Sequence, residues 1–522
     1  MSTMVEIVWR TRRRGILLWV IALAASLVAT AAAVAGLYNT PAKIHTYAAA
    51  VTSGSALAAI NGHVEGIDSL GGVIQDEFGF LASFLLPLLG IGLVAGSTRR
   101  EEESGRLETI LGGRIARHQP ALAALTVATA AISATSVLFA AGLTISGVPV
   151  SGAMLYGASL GALAFVFAGI AALLAQLVLH ARGVYTWSLI TLAGAYVLRG
   201  VGDTTNSWLT WLSPLGWTEK TAPFGDQRWW VPAIPAVTGL ATAGAAVWLA
   251  ARRDVGSSVL RGGSGPAGAG QLRRQPIGLA AWIHLPAAAG WLSGGIVLTA
   301  LMGSLARQFL DAMAGNPALS QAIGVEGDRP LDGLIAATQL YLAVLAAGYV
   351  IQAVGTLRAE EADGRLETRV SGTLSRLRWL AAHGAVIGTG LLLIVAGSSS
   401  VLALSTAWSV GSTDDTRAVM VAGLDYLPAE LVFGGLALAL FGRWPRGFGF
   451  AWAAYAAAAF IAFLGPGLKL AGWMLHLSPT TLVGNPPLGT AQADRLAALA
   501  IVAGAFVLVG FIAFRRRDVP RT

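Results

Sequence analysis

The sequence predicts an all-α integral membrane protein of about twelve transmembrane helices, arranged as two parallel six-helix repeats. Three observations carry that prediction. Apolar residues make up 55% of the 522-residue chain and charged residues only 12%, against roughly 25% charged in a soluble domain. The apolar residues gather into runs of about 20, the length that crosses a bilayer core of ~30 Å. One charged stretch occurs twice, as EEESGRLET from Glu101 to Thr109 and EEADGRLET from Glu360 to Thr368, at an offset of 259. In a chain otherwise dominated by Ala, Leu, Val and Gly, such a recurrence marks two homologous halves.

In the first half the spans fall near residues 16–37, 80–97, 120–143, 153–179, 184–200 and 231–251. In the second they fall near 287–305, 334–356, 380–404, 419–441, 449–465 and 494–514. The ~10-residue alternation of a β-barrel is absent. The first run is too long for a cleavable leader, and the second half opens on a similar span that cannot be one. Ahead of span one, Met4–Arg14 has the composition of an interfacial helix, with Trp9 for the headgroups and arginines for phosphate. Residues 252–285 join the halves as a basic linker rich in Gly, Ser and Pro, ending in an interfacial stretch at 277–285. The expected domains are therefore 1–251, 252–285 and 286–522.

Charge orients the spans. With the N-terminus inside, alternate loops hold 26 of the 35 Lys and Arg residues, while Lys43, Lys220 and Lys469 all fall outside. By the positive-inside rule both termini are cytoplasmic. Arginines alternating with spans contact membrane lipids and argue against a nucleic-acid surface. Cysteine is absent, which excludes disulfides and thiolate metal sites, and no metal-binding motif is present.

Two further repeats support the halves. Trp208-Leu-Thr-Trp-Leu-Ser-Pro214 resembles Trp473-Met-Leu-His-Leu-Ser-Pro479, and Arg252-Arg253-Asp254-Val255 matches Arg516-Arg517-Asp518-Val519. The repeated acidic motif follows an apolar span and faces the cytoplasm. As a helix from about Glu101 to Leu111, it gathers Leu107, Ile110 and Leu111 into an apolar patch and leaves Glu101, Glu102, Arg106 and Glu108 polar. The second copy does the same with Leu366 and Val370 among Glu360, Glu361, Arg365 and Glu367. Gly105 and Gly364 weaken a helix and so mark a bend or a close approach. A short amphipathic segment retained twice is a docking surface for a cytoplasmic partner.

This motif resembles the E-x-x-x-G-(T/R)-L-E segment between spans two and three of bacterial type-2 ABC exporter permeases, in particular the duplicated antibiotic and multidrug exporters. The resemblance covers essentially the whole chain, including the paired L-S-P segments and residues 213–230. It implies that Glu101, Glu102, Gly105, Arg106, Leu107 and Glu108, with Glu360, Glu361, Gly364, Arg365, Leu366 and Glu367, form two coupling helices. These would sit on a homodimer of cytoplasmic ATPase subunits that binds ATP and Mg. It also implies short re-entrant helices around L-S-P, a location in the bacterial plasma membrane, and a path between the halves lined by spans two, five, eight and eleven. Phe80, Phe84, Gln339 and Tyr341 are the expected lining, with Asp425 and Glu430 in span ten as ionisable groups at membrane depth. Aromatic faces with few polar groups suit a hydrophobic or amphiphilic small molecule.

The chain has no G-x-x-x-x-G-K-[ST] phosphate loop; its nearest approach, Gly465-Pro-Gly-Leu-Lys469, lacks the ending. It is expected to be a permease subunit and not itself an enzyme. Twelve spans in two parallel halves also describe a proton-coupled secondary drug transporter, but the acid-rich loop after span two departs from the basic motif of that class. A membrane-embedded lipid-acting enzyme is the third reading, and no catalytic cluster supports it.

Overall fold

The computed structural model describes residues 2–52, 62–112, 115–260, 268, 270–315, 330–372, 374–465 and 470–517. The chain divides into two compact units, Met1–Gly265 and Pro266–Thr522. Regular structure among the described residues is entirely helical, and eleven helices are long and apolar enough to cross a membrane. The protein is an all-α integral membrane protein.

The first unit contains α1 (Ser2–Leu37), α2 (Pro41–Thr52), α3 (Leu70–Ser97), the short α4 (Arg99–Glu103) and α5 (Arg106–Leu111), then α6 (Gln119–Ile145), α7 (Val150–Leu177), α8 (Ala181–Thr204), α9 (Pro214–Lys220) and α10 (Ala233–Arg252). The second contains α11 (Pro276–Ser304), α12 (Ala306–Gly315), α13 (Pro330–Ala362), the short α14 (Arg365–Val370), α15 (Arg376–Val410), α16 (Thr416–Leu424), α17 (Leu427–Arg443), α18 (Gly449–Leu464), α19 (Gly472–Leu475) and α20 (Ala493–Arg516). The predicted fifth span, α8, is the helix missing from the eleven. Its 24 residues extend ~36 Å at 1.5 Å per residue, but Arg182, Arg199 and Asp203 lower its hydropathy.

Two predicted interfacial stretches are not separate elements. Met4–Arg14 and residues 277–285 are the first turns of α1 and α11, continuous with spans one and seven. Arginine and the apolar residues there are adequate helix formers, and Pro286 lies inside α11 without ending it. In the linker, residues 261–267 and 269 lie outside the described residues, as do Gly113, Arg114, Lys469, Asp518 and Val519.

The repeat is visible in the packing. Span one (α1) packs on span three (α6), as span seven (α11) packs on span nine (α15). Span four (α7) packs on span six (α10), as span ten (α17) packs on span twelve (α20). Spans two and eight (α3 and α13) contact both pairs within their own unit. Small residues set the closest approaches, as expected for helices that associate in lipid. A Cβ on Gly169 would stand 2.9 Å from the Gly239 carbonyl oxygen, and one on Gly435 would stand 2.8 Å from that of Ala503. Outward faces of the spans carry large apolar side chains such as Leu18, Val137, Leu393 and Ile501. Exposing this surface to water would cost ~25 cal/mol per Å²; a bilayer removes that cost.

Candidate functional site

In both units the acidic motif folds around its glycine. Gly105 has φ +73° and Gly364 has φ +72°, a left-handed conformation that L side chains adopt at a cost. At Gly105 no atom would meet an added Cβ within 4 Å, so the glycine serves the bend and not a close approach. The bend ends one helix and starts the next, so the motif is two helical pieces and not the single helix expected from Glu101 to Leu111. Across the bend the first glutamate meets the arginine five residues on. Arg106 Nε donates to Glu101 Oε2 and Arg365 Nε donates to Glu360 Oε1, each at 2.7 Å.

The second glutamate of each copy points inward. Glu102 accepts two hydrogen bonds from Arg253, from Nη1 at 2.7 Å and Nη2 at 2.9 Å. Arg99 Nη1 lies 2.8 Å from the same carboxylate, and the Gly256 amide donates to it at 2.6 Å. Arg99, itself buried, donates to the carbonyls of Val178 and Ser257. In the second copy Arg517 Nη2 donates to Glu361 Oε2 at 2.6 Å. Arg117 donates to Asp254 at 2.8 Å, and its counterpart Arg376 donates to the Arg517 carbonyl at 3.0 Å. The repeated Arg-Arg-Asp-Val segments therefore exist where the repeated Glu-Glu needs a partner. The sequence offered both repeats but not their connection; the nearly equal offsets, 259 and 264, were the available signal.

The apolar side of the motif also faces inward. Leu107 and Leu366 are buried in the cores of their own units, with Ile110, Leu111 and Val370 packed against them. The expectation that both charged and apolar groups face a partner is corrected: an exposed leucine patch would be an unfavourable surface, and each unit covers its own. What remains exposed is Glu103, Ser104, Arg106, Glu108 and Thr109 on the first copy, and Ala362, Asp363, Arg365 and Thr368 on the second. Glu367 is half-buried. The first copy is braced further. Arg12 of α1 donates to the Gly96 carbonyl and to Glu101. Glu103 caps α8, accepting from the Ala181 amide at 3.0 Å with His180 Nδ1 at the same distance.

The L-S-P serines repeat one hydrogen bond. Ser213 Oγ donates to the Ala195 carbonyl at 2.6 Å, and Ser478 Oγ donates to that of Ala458 at 3.0 Å. Both serines are fully buried, and each fastens its segment to the preceding span. Short helices flank both sites: α9 with a 3-10 turn at Trp208–Leu212, and α19 with one at Thr481–Val483.

Of the expected lining residues, the aromatics form clusters. Phe80, Phe84 and Tyr196 make a triad with centroid separations of 5.2–5.5 Å, joining span two to span five. Tyr341 stacks on Phe463 at 4.7 Å, joining span eight to span eleven. Phe80 and Tyr341 remain exposed. Tyr196 and Phe463 were not singled out from sequence, since a lone aromatic in an apolar span carries no mark of its own. Gln339 does not line a surface. It is buried, donates to the Val419 carbonyl at 2.8 Å and accepts from Ser399, because a carboxamide in an apolar interior requires partners. Asp425 is half-buried at the break between α16 and α17, where Pro428 has no N–H to continue the helix. Glu430 is fully buried.

About 18 residues, or ~27 Å, along α8 from the motif, Arg199 pairs with Glu219 at 2.8 Å and lies 3.7 Å from Asp203. Its guanidinium also covers the Tyr196 ring at 4.6 Å. Burial pushes the Glu219 carboxyl up to about 8, opposed by Arg199 and reinforced by Asp203. The Tyr47 hydroxyl of α2 lies 2.6 Å from Asp76 and 2.9 Å from Glu77, its one proton shared between them, so the acids flanking span two are clamped rather than free.

Residues 274–515, most of the second unit, match the family described as the multidrug efflux system permease Rv1217c, C-terminal domain. The whole sequence is similar to the multidrug efflux system permease protein Rv1217c of Mycobacterium tuberculosis (strain ATCC 25618 / H37Rv). The two are 30% identical over 519 residues, covering 98% of this chain and 93% of that protein. A likeness spanning both repeats, on a membrane-spanning helical fold, means that the chain belongs to the family of multidrug efflux system permeases.

Proposed function

We propose that this chain is the transmembrane permease subunit of an ATP-driven exporter that effluxes hydrophobic or amphiphilic compounds across the bacterial plasma membrane. The observation that carries the reading is the repeated motif. Two copies share one bend, one internal ion pair and one exposed Arg-x-x-Thr face, at Arg106 and Thr109 and at Arg365 and Thr368. Matched faces suit two identical partner subunits, here cytoplasmic ATPases carrying ATP and Mg. The sequence holds no phosphate loop of its own, so hydrolysis belongs to that partner. Both termini and both motifs are then cytoplasmic, and substrate passes along the clusters of Phe80, Phe84 and Tyr196 and of Tyr341 and Phe463. The efflux named in the relative agrees with this apolar lining.

The test is transport by inverted vesicles carrying the chain and a co-expressed ATPase. Accumulation of a hydrophobic dye should require ATP and persist when the proton gradient is collapsed. Accumulation that follows the gradient and ignores ATP would establish the secondary-transporter mechanism instead. Single cysteines at Glu103 or Ala362, introduced into a chain that has none, should be reached by thiol reagents only from the cytoplasmic face.

A further inference from the structure

Glu430 has an environment that packing alone does not explain. It lies one turn into α17, fully buried, and neither carboxylate oxygen has a hydrogen-bond partner. Four residues earlier, the buried hydroxyl of Tyr426 is also without one. The first repeat shows that the span folds without this acid. Aligning Val432, Phe433 and Gly435 with Val166, Phe167 and Gly169 puts Ala164 at the position of Glu430, and Ala164 is fully buried too.

A carboxylate in such a place has to hold a proton or a cation. One carboxylate and one phenol provide too few oxygens for a hard metal ion, which takes six or more. Aromatic residues flank Glu430 along its own helix instead. Tyr426 and Phe433 lie about one turn away on either side, and Tyr455 meets Phe433 edge-on at 6.1 Å. A carboxylate with aromatic side chains within a turn of it combines the two groups that recognise an organic cation. The titratable groups on the helices packed against α17 are Asp332, Tyr341, Tyr349, Arg358, Glu360 and Glu361 on α13, Tyr455 on α18, and Asp494, Arg495, Arg515 and Arg516 at the two ends of α20. None pairs with Glu430, and on its own span only Asp425 and Tyr426 are near.

We infer that Glu430 is an exchange site, at which an organic cation replaces a proton during transport. This rests on the efflux reading above. The carboxylic O–H bond breaks, the proton passes to bulk water, and the carboxylate pairs with the incoming cation; nothing is oxidised or reduced. The site is closed in this conformation and is reached in another state of the cycle.

The experiment uses the purified full-length chain in detergent, with tetraphenylphosphonium as the cation and an uncharged hydrophobic dye as control. Tetraphenylphosphonium binding should tighten as pH rises, by up to roughly tenfold per pH unit while the acid is protonated. Glu430→Gln and Glu430→Ala should bind it about tenfold or more weakly and without the pH slope, while dye binding stays as in wild type. The alanine variant reproduces what the first repeat already carries, so it guards against a folding failure of the glutamine variant. Carbodiimide labelling of wild-type Glu430, slowed by the cation and not by the dye, gives the same answer without substitution. Wild-type affinity and slope in the variants, or labelling that the cation does not slow, would overturn the exchange site. Binding of the dye but not the cation by wild type also overturns it alone; binding of neither overturns the efflux reading with it.

Discussion

Glu102 and Arg253 face each other through two parallel hydrogen bonds, 2.7 and 2.9 Å long, with both side chains largely buried. A bidentate pair of this kind fixes orientation as well as distance. Glu361 and Arg517 form the corresponding pair in the other half through one hydrogen bond of 2.6 Å. The second glutamate of each motif is therefore part of the unit's own architecture. Arg253→Ala should cost about 3–5 kcal/mol, the range for removing one partner of a buried pair, read as a lower melting temperature of the purified protein. Exchanging the two residues, Glu102→Arg with Arg253→Glu, should recover part of the loss.

Docking is tested elsewhere on the motif. Thr109 and Thr368 are exposed in both copies, so Thr109→Trp with Thr368→Trp should leave melting unchanged and abolish both co-purification with the ATPase and ATP-dependent transport. Intact assembly in that double variant would remove the coupling role from this face. Reversing the charge of Glu102 and Glu361 does not make this test, because it breaks the interior first.

The two left-handed glycines give a graded prediction. Gly105→Ala and Gly364→Ala force a Cβ into a conformation that costs roughly 1–2 kcal/mol. Each should lower the melting temperature and weaken coupling of ATP hydrolysis to transport. Asparagine, which tolerates this region better, should be milder at both positions.

Phe84 touches both Phe80 and Tyr196. Phe84→Ala and Tyr341→Ala should change which compounds are exported across a broad panel while ATPase co-purification is retained. An unchanged profile from both would remove the aromatic clusters from the path.

Glu219 sets a pH dependence. It holds its proton more tightly in the folded protein, where it titrates near 8, than at its ordinary value of 4.5. The stability this confers is full below about pH 4.5 and is lost as pH rises through about 8. Melting temperature should therefore fall between pH 5 and pH 8.5, and Glu219→Gln should flatten that fall. Arg199→Ala, which strips the guanidinium from Asp203 and Glu219 together, should destabilise at every pH above the carboxylate range.

Helix positions were legible because bilayer crossing imposes run length directly on composition. The motif was legible because charge is scarce enough in this chain for its recurrence to stand out. The inward turn of Glu102 and Leu107 was not legible. An amphipathic turn has two faces, and sequence alone does not say which one its own protein covers. Gln339 misled for a related reason: a polar residue in a span signals a need for partners, and Val419 and Ser399 meet that need inside the unit. Span five was legible at 184–200 although Arg199 and Asp203 lower the hydropathy of its helix, while the cluster that holds them was not.

The close approach of Gly169 to Gly239 has a mechanical consequence. At this crossing the Thr242 hydroxyl and the Phe165 ring fill the space a Cβ on Gly169 or Gly239 would take, so spans four and six interlock and respond to a load as one beam. Arg253 follows immediately after span six and is bolted to Glu102. A thrust applied to the motif therefore has a defined load path, through one guanidinium into the end of that beam. Gly435, Ala503, Arg517 and Glu361 lay out the same path in the second unit.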